Sequence, residues 1–212
     1  MKIIELFSGT ECISTEFKIN GHEIFTIDFD SKFNPSWCVD IEKVTAKDIL
    51  KRFGKPDVIW ASPDCTTYSI AAISHHRQQT KEGLLEPKSD QAHQAEKLLS
   101  KTLELINELK PRYWFIENPR GGMRKHRFMY YLPYRYTITY CQYGDTRMKP
   151  TDIWTNHPDP QFKPVCKNGD SCHDAAPRGS RTGTQGLKNA MERSKIPKQF
   201  CRHIVNICEV GD

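Results

Sequence analysis

Short apolar blocks recur along this chain, and their spacing switches between strand and helix periods. Lys2-Ile3-Ile4-Glu5-Leu6-Phe7 reads as a strand, Ser8-Gly9-Thr10 as a turn, and residues from Cys12 to Ile19 as a helix. A second strand covers residues 22–27 and ends at Asp28. A short piece after Pro35 ends at Asp40-Ile41, and a helix from Ala46 to Phe53 stops at Gly54. Asp57-Val58-Ile59-Trp60-Ala61 is the next strand. The run from Ser89 to Leu109 carries Ala92, Ala95, Leu98, Leu99, Leu103, Ile106 and Leu109 at i, i+3, i+4 spacing, the stripe of a helix with one buried face. Residues 113–116 follow as a strand.

Strands alternating with helices predict an α/β fold, a mostly parallel sheet with helices on both faces. Ligand sites of such sheets lie at the carboxyl ends of the strands. Gly9, Asp28, Asp40, Cys65 and Glu117 all fall there. The turn after the first strand lacks the full G-x-G-x-x-G of a dinucleotide binder, which argues against pyrophosphate. It still suits a nucleoside: backbone approaches closely over Gly9, Asp28 accepts from ribose hydroxyls, Phe29 lies against adenine and Asp40 accepts from its amino group. Ordinary turn residues would show the same spacing. Two adjacent strands would deliver the thiol of Cys65 and the carboxyl of Glu117 to one edge, an enzyme-like pairing of nucleophile and acid.

Length permits one full α/β domain and a small appendage, since a single core commonly serves about 100–200 residues. No apolar run approaches the roughly 20 residues needed to cross a bilayer. Glu5 interrupts the N-terminal apolar run too early for a signal sequence, so a cytoplasmic location is expected, with the eight cysteines as thiols. The formal charge of +5 is compatible with a polyanionic partner without requiring one. Its distribution is more telling. From Arg120 to Arg135 the chain carries Arg120, Arg124, Lys125, Arg127 and Arg135 with His126 and no acid, interleaved with Tyr130, Tyr131 and Tyr134. The run reads either as solvated surface or as a face for nucleic acid, and the tyrosines favour the second.

Cys166, Cys172 and His173, preceded by Cys141 and His157, lie in a polar piece with little core of its own. Cys166, Cys172 and His173 are candidate zinc ligands with His157 as a fourth, although free side chains of a polar loop fit the same pattern. The glycine-rich, basic stretch 177–186 would follow a phosphate backbone or serve as a linker.

Several of these segments together resemble the DNA cytosine-5 methyltransferase family. Leu6-Phe7-Ser8-Gly9-Thr10-Glu11-Cys12 resembles its opening cofactor motif, Ile27-Asp28-Phe29-Asp30 its acid-plus-ring motif, and Cys38-Val39-Asp40-Ile41 the acid that holds adenine. Ala61-Ser62-Pro63-Asp64-Cys65-Thr66-Thr67-Tyr68-Ser69 resembles the nucleophile motif and Phe115-Ile116-Glu117-Asn118-Pro119 the Glu-Asn-Val motif. Gln142-Tyr143-Gly144 with Arg147 and Lys149 resembles, more faintly, the motif that supports the base and the cysteine. Residues 196–207 resemble the last family motif, a helix returning to the cofactor side.

The resemblance implies a Rossmann-like S-adenosylmethionine-dependent fold that methylates C5 of cytosine in DNA through a covalent cysteine adduct. Cys65, Glu117 and Arg147 would be catalytic; Phe7, Gly9, Thr10, Asp28, Phe29, Asp40, Ile41 and Pro63 would bind the cofactor. Arg147 and Lys149 would also contact phosphate or base. It further implies a bacterial or phage-infected cytoplasm, restriction-modification and base flipping. Residues 1–155 would be the catalytic core, 156–190 a reduced target-recognition segment helped by zinc or an accessory chain, and 191–212 the returning helix. Free pyrimidine nucleotides are an alternative substrate, and a non-catalytic nucleic-acid binder an alternative role. Two departures fall at the centre: Asp64 stands where the family has proline, and Pro119 where it has valine. An acid beside the thiol raises its pKa unless turned away or neutralised.

Overall fold

The structure, a computed structural model, describes residues 1–132, 134–175 and 189–210. The glycine-rich stretch 177–186 lies outside the described residues. In chain order the elements are β1 (Lys2–Leu6), α1 (Cys12–Ile19), β2 (Glu23–Asp28), β3 (Trp37–Cys38), α2 (Ala46–Arg52) and β4 (Val58–Ala61). Next come α3 (Ile73–His76), β5 (Arg77–Gln79), β6 (Leu85–Pro87), α4 (Asp90–Leu109) and β7 (Tyr113–Pro119). The remainder is α5 (Arg127–Tyr130), β8 (Arg135–Thr139), β9 (Pro150–Thr155), α6 (Ala190–Ser194) and α7 (Lys198–Glu209).

One sheet has the order β3-β2-β1-β4-β7-β9-β8. The first five strands in that order are parallel, whereas β9 pairs antiparallel with both β7 and β8. Side chains alternate across it. Ile4, Ile59, Ala61, Ile116 and Trp154 face a core shared with α2 and α4. Ile3, Val58, Trp60, Phe115 and Ile153 face the opposite core, filled by Ile13 and Phe17 of α1 and by Phe200, Ile204 and Val205 of α7. Central strand β4 is therefore apolar on both faces, the mark of a mixed α/β fold with a largely parallel central sheet of Rossmann-like kind. No described helix is long and apolar enough to cross a membrane.

Local signals explain the main boundaries. Thr45 and Asp48 form a reciprocal capping box at the start of α2. Ser89 caps α4 by accepting from the Ala92 amide at 3.2 Å, and Lys110 closes that helix in the left-handed region. Beyond Cys65 the chain adds a small hairpin, β5 with β6, before α4 returns it to the sheet.

Candidate active site

The turn after β1 is forced by backbone geometry. Phe7, Gly9 and Glu11 have φ of 57°, 45° and 54°, all left-handed. Glycine takes this conformation without strain, but two side-chain-bearing residues within the same five hold it only because surrounding structure does. The Gly9 amide donates to Asp28 Oδ2 at 2.9 Å and the Asp30 amide to Oδ1 at 2.9 Å. The carboxylate at the end of β2 is thus fixed against the turn at the end of β1.

Beside this pair lies a cavity of about 210 Å³ whose lining includes Phe7, Asp28, Phe29, Asp40, Ile41 and Leu98. Phe29 is 77% exposed, a large ring with one face available to a planar ligand. Asp40, which lines the cavity, accepts from the Glu42 amide through Oδ1. In the turn itself, next to Phe7, Ser8 Oγ is buried with no protein partner, although Ser8 does not line the cavity. Five of the eight sequence-predicted cofactor residues line this cavity, and Gly9 adjoins it through Asp28. Thr10 instead pairs with Cys12 Sγ at 3.1 Å, and the Pro63 carbonyl accepts from Asn118. Leu98, Ser62 and Asp64 also line it and were not foreseen as cofactor contacts; Leu98 belongs to the apolar stripe of α4. A larger cavity, about 570 Å³, lies between residues 143–147 and 192–202, and neither Cys65 nor Asp28 lines it.

The register of β4 with β7 sets the catalytic geometry. Ala61 pairs with Ile116, so the next residues, Ser62 and Pro63, emerge beside Glu117 and Asn118. Asn118 Nδ2 donates to the Pro63 carbonyl at 3.0 Å, and the Ser62 side chain hydrogen-bonds Glu117. Two residues further on, Cys65 enters the 3-10 turn Thr66–Tyr68. Arg77 of β5 holds that turn from behind: Nη2 donates to Thr67 Oγ1 at 3.0 Å, and the guanidinium stacks 3.8 Å from the Tyr68 ring centroid. Gly121 passes over the same turn. A Cβ there would stand 2.6 Å from the Tyr68 carbonyl oxygen, so only glycine permits the approach.

Cys65 reaches solvent, but protein crowds the sulfur. This burial, followed by the charges of Glu117 and Asp64, pushes the thiol up to about 11; the Lys149 charge opposes it. Asp64 Oδ1 accepts from the Thr66 amide and hydroxyl, yet these bonds do not remove its charge from Cys65. Glu117 is 7% exposed, and burial raises its pKa toward the protonated form, with Lys149 and hydrogen bonds from Tyr140 and Ser62 opposing. Tyr140 Oη donates to Glu117 Oε1 at 3.1 Å. Burial lowers the pKa of Lys149, whose Nζ lies 4.6 Å from the centroid of the Tyr140 ring. The result is a thiol raised in pKa, a buried acid biased toward keeping its proton, and one lysine whose charge acts on both.

Arg147 does not take the place foreseen for it. Its Nε and Nη2 bond the Asp145 carboxylate and its Nη1 the Arg193 carbonyl, because the turn between β8 and β9 folds back on itself. Lys149, two residues on, supplies the cation beside Cys65 and Glu117. Tyr140 went unread; its signal is the alternation Tyr136-Thr137-Ile138-Thr139, a strand that ends on a polar ring.

Of the basic run, Arg124 turns inward to a bidentate pair with the buried Asp152, and His126 is buried against Glu96. Arg120, Lys125, Arg127 and Arg135 stay exposed, as do the three tyrosines, at 58%, 76% and 47%. Cys166, Cys172 and His173 come together with Cys141. His157 does not join them: it is buried against the Tyr113 ring with Nε2 on the Ile207 carbonyl.

Known proteins are similar to this chain. A frog virus 3 (isolate Goorha) protein named "Probable DNA (cytosine-5)-methyltransferase" is 29% identical over 98% of this chain and 100% of its own length. Among solved structures, an E. coli prophage-encoded protein described as a DNA modification methyltransferase superposes with a TM-score of 0.54 at 18% identity. EhMeth of Entamoeba histolytica gives 0.53 at 16%. Each superposition covers 73% of this chain but 46% and 52% of those chains, so this chain spans about half the length of the structures it matches. They share its fold. The family model for C-5 cytosine-specific DNA methylases matches residues 1–133, the stretch that carries the turns after β1, β2, β4 and β7. The chain belongs to the C-5 cytosine-specific DNA methylase family.

Proposed function

We propose that this chain transfers a methyl group from S-adenosylmethionine to C5 of cytosine in DNA, with Cys65 as nucleophile and Glu117 as the proton donor. The observation that carries the reading is the register of β4 on β7, which puts thiol and acid side by side with Asn118 bonded across to Pro63. The cofactor fits the residues present. Asp28 suits the ribose hydroxyls, Phe29 and Ile41 the adenine faces, and Asp40 Oδ2 its amino group. When bound, S-adenosylmethionine supplies a methyl group made electrophilic by its sulfonium.

Cytosine C5 is a poor nucleophile while the ring is aromatic. Attack of the Cys65 thiolate on C6, with a proton placed on N3 by Glu117, moves electron density onto C5. C5 then takes the methyl group as its bond to the sulfonium sulfur breaks, leaving S-adenosylhomocysteine. Loss of the C5 proton to solvent, expulsion of the thiolate and return of the N3 proton to the Glu117 carboxylate restore the ring. Lys149 favours the thiolate at the first step and Tyr140 orients the acid.

DNA is the substrate the exposed surface favours. The basic run meets the Cys65 turn at Gly121, and on either side of that contact Arg120, Lys125 and Arg127 are exposed, as are the three tyrosines. Flipping a cytosine out of a duplex costs roughly a few kcal/mol, which backbone contacts from such a rim offset. Residues 156–190 serve as a reduced recognition segment, assisted by an accessory chain where longer targets are read, and the reaction takes place in the cytoplasm.

Methyl-labelled S-adenosylmethionine offered with duplex DNA, RNA or free cytidine nucleotides tests the reading. Label in DNA at C5, lost in Cys65→Ala, is expected. Label confined to RNA or nucleotide would overturn the DNA assignment.

A further inference from the structure

Three thiols and an imidazole converge on the far side of the turn that carries Tyr140. Cys141 lies in the 3-10 turn Tyr140–Tyr143; Cys166, Cys172 and His173 come from the polar segment after β9. Their four donor atoms all lie within 4.8 Å of one another. Cys141 Sγ is 3.0 Å from Cys166 Sγ and 3.6 Å from Cys172 Sγ, and His173 Nδ1 is 3.7 Å and 3.6 Å from the sulfurs of Cys166 and Cys172. A tetrahedral zinc at about 2.3 Å from sulfur and 2.0–2.1 Å from nitrogen holds its donors roughly 3.5–3.8 Å apart. Three of these four separations match, and the fourth needs only a modest widening. All three sulfurs belong to free thiols.

The surrounding chain is arranged for this cluster rather than for a core. Val165 is 44% exposed while its neighbour Cys166 is 5% exposed, so the apolar side chain faces out and the thiol in. The Cys166 amide donates to Thr139 Oγ1 at 3.1 Å, and Gln142 Nε2 approaches Cys172 Sγ at 3.6 Å, a donor of the kind that supports a bound thiolate. We infer that Cys141, Cys166, Cys172 and His173 hold one structural zinc ion, which fastens residues 166–173 to the turn bearing Tyr140. Three thiolates and one imidazole fill a tetrahedron and leave no open position, so the ion is structural and takes no part in methyl transfer. The inference stands apart from the assigned reaction. It replaces His157 as fourth ligand with Cys141.

The test uses the full chain, untagged and purified without added metal or chelator. Elemental analysis should give about one zinc per chain, and exchange with Co²⁺ should give the strong visible absorption of a tetrahedral thiolate site. Cys141→Ser and His173→Ala should each lose the ion, and His157→Ala should keep it. His173 is half-buried at the rim of the cluster, so its variant reads the loss even where Cys141→Ser fails to fold. A chain that neither carries zinc nor takes up Zn²⁺ or Co²⁺ would overturn the inference. So would retention of a full complement in both ligand variants, or a thiol count two below the eight cysteines after denaturation, which would mark a disulfide instead.

Discussion

The Asn118 side chain donates to the Pro63 carbonyl at 3.0 Å, joining two residues that are 55 apart in sequence. Neither is a nucleophile or an acid, yet this bond ties the strand end carrying Glu117 to the one leading into Cys65. Asn118→Ala should misplace the thiol relative to the acid and lower the rate of methyl transfer by roughly 100-fold, the scale of a displacement near 1 Å. Cofactor affinity, measured by calorimetry, should stay within a few-fold, since Asn118 does not line that cavity. An equal loss in cofactor binding would show that the bond holds the whole fold edge rather than the reacting pair.

Cys65 titrates at about 11, so near pH 7 almost all of it is thiol, and the thiolate grows tenfold with each pH unit until that value. Single-turnover adduct formation should therefore climb with slope near one above neutral pH while Glu117 keeps the proton it donates, and level off once that proton is lost. Asp64→Asn removes a charge that raises this pKa and should speed the reaction at pH 7; Lys149→Met removes the opposing charge and should slow it. A flat profile, or the reverse order of the two variants, would contradict the assigned electrostatics.

Asp28 accepts from the Gly9 and Asp30 amides, and the proposed cofactor adds ribose hydroxyls to the same carboxylate. Hydrogen bonds to a charged group contribute about 1.5–3 kcal/mol, so Asp28→Ala should weaken S-adenosylmethionine binding by roughly 10- to 150-fold. Unchanged affinity by titration calorimetry would remove the ligand from this cavity.

Glu5 of β1 is 3% exposed, and its Oε2 accepts from the Ser14 amide at 2.8 Å. Burial lifts its pKa from 4.5 to about 7. The folded state therefore prefers the protonated acid, and stability from this group is full below pH 4.5 and lost as pH rises through about 7. Glu5→Gln keeps an acceptor for Ser14 and should gain up to roughly 3 kcal/mol at pH 8 with no gain at pH 4, as read by urea denaturation. Identical pH profiles for both chains would show that Glu5 is charged in the fold.

Much of the fold was legible because its signals are local. The apolar stripe of α4, the capping residue Ser89 and the continuous buried runs of β1 and β4 each announce themselves within a few residues. The hairpin of β5 and β6 did not, because Arg77-Gln78-Gln79 is polar and its pairing spans only three residues. Strands β8 and β9 lay hidden because they follow a basic, aromatic stretch and mix apolar with polar residues, Asp152 of β9 being buried by its pair with Arg124. At the candidate site, Glu117 lies near the end of β7 and Cys65 four residues beyond β4, and that position is what singles both out in the sequence. Lys149 in place of Arg147, Tyr140, and Cys141 in place of His157 depend on how the chain folds back after β8, which no local spacing records.

The central claim is that Cys65 attacks cytosine C6 with Glu117 supplying the proton. Fluorine at C5 blocks the final loss of a proton and holds the enzyme on its substrate. Intact-mass measurement of the chain with S-adenosylmethionine and a duplex containing 5-fluorocytosine should therefore show one DNA strand covalently attached per chain. Peptide mapping should place it on Cys65. The adduct should vanish in Cys65→Ser and form far more slowly in Glu117→Gln. An adduct that persists in Cys65→Ser, or that maps to another cysteine, would contradict the account.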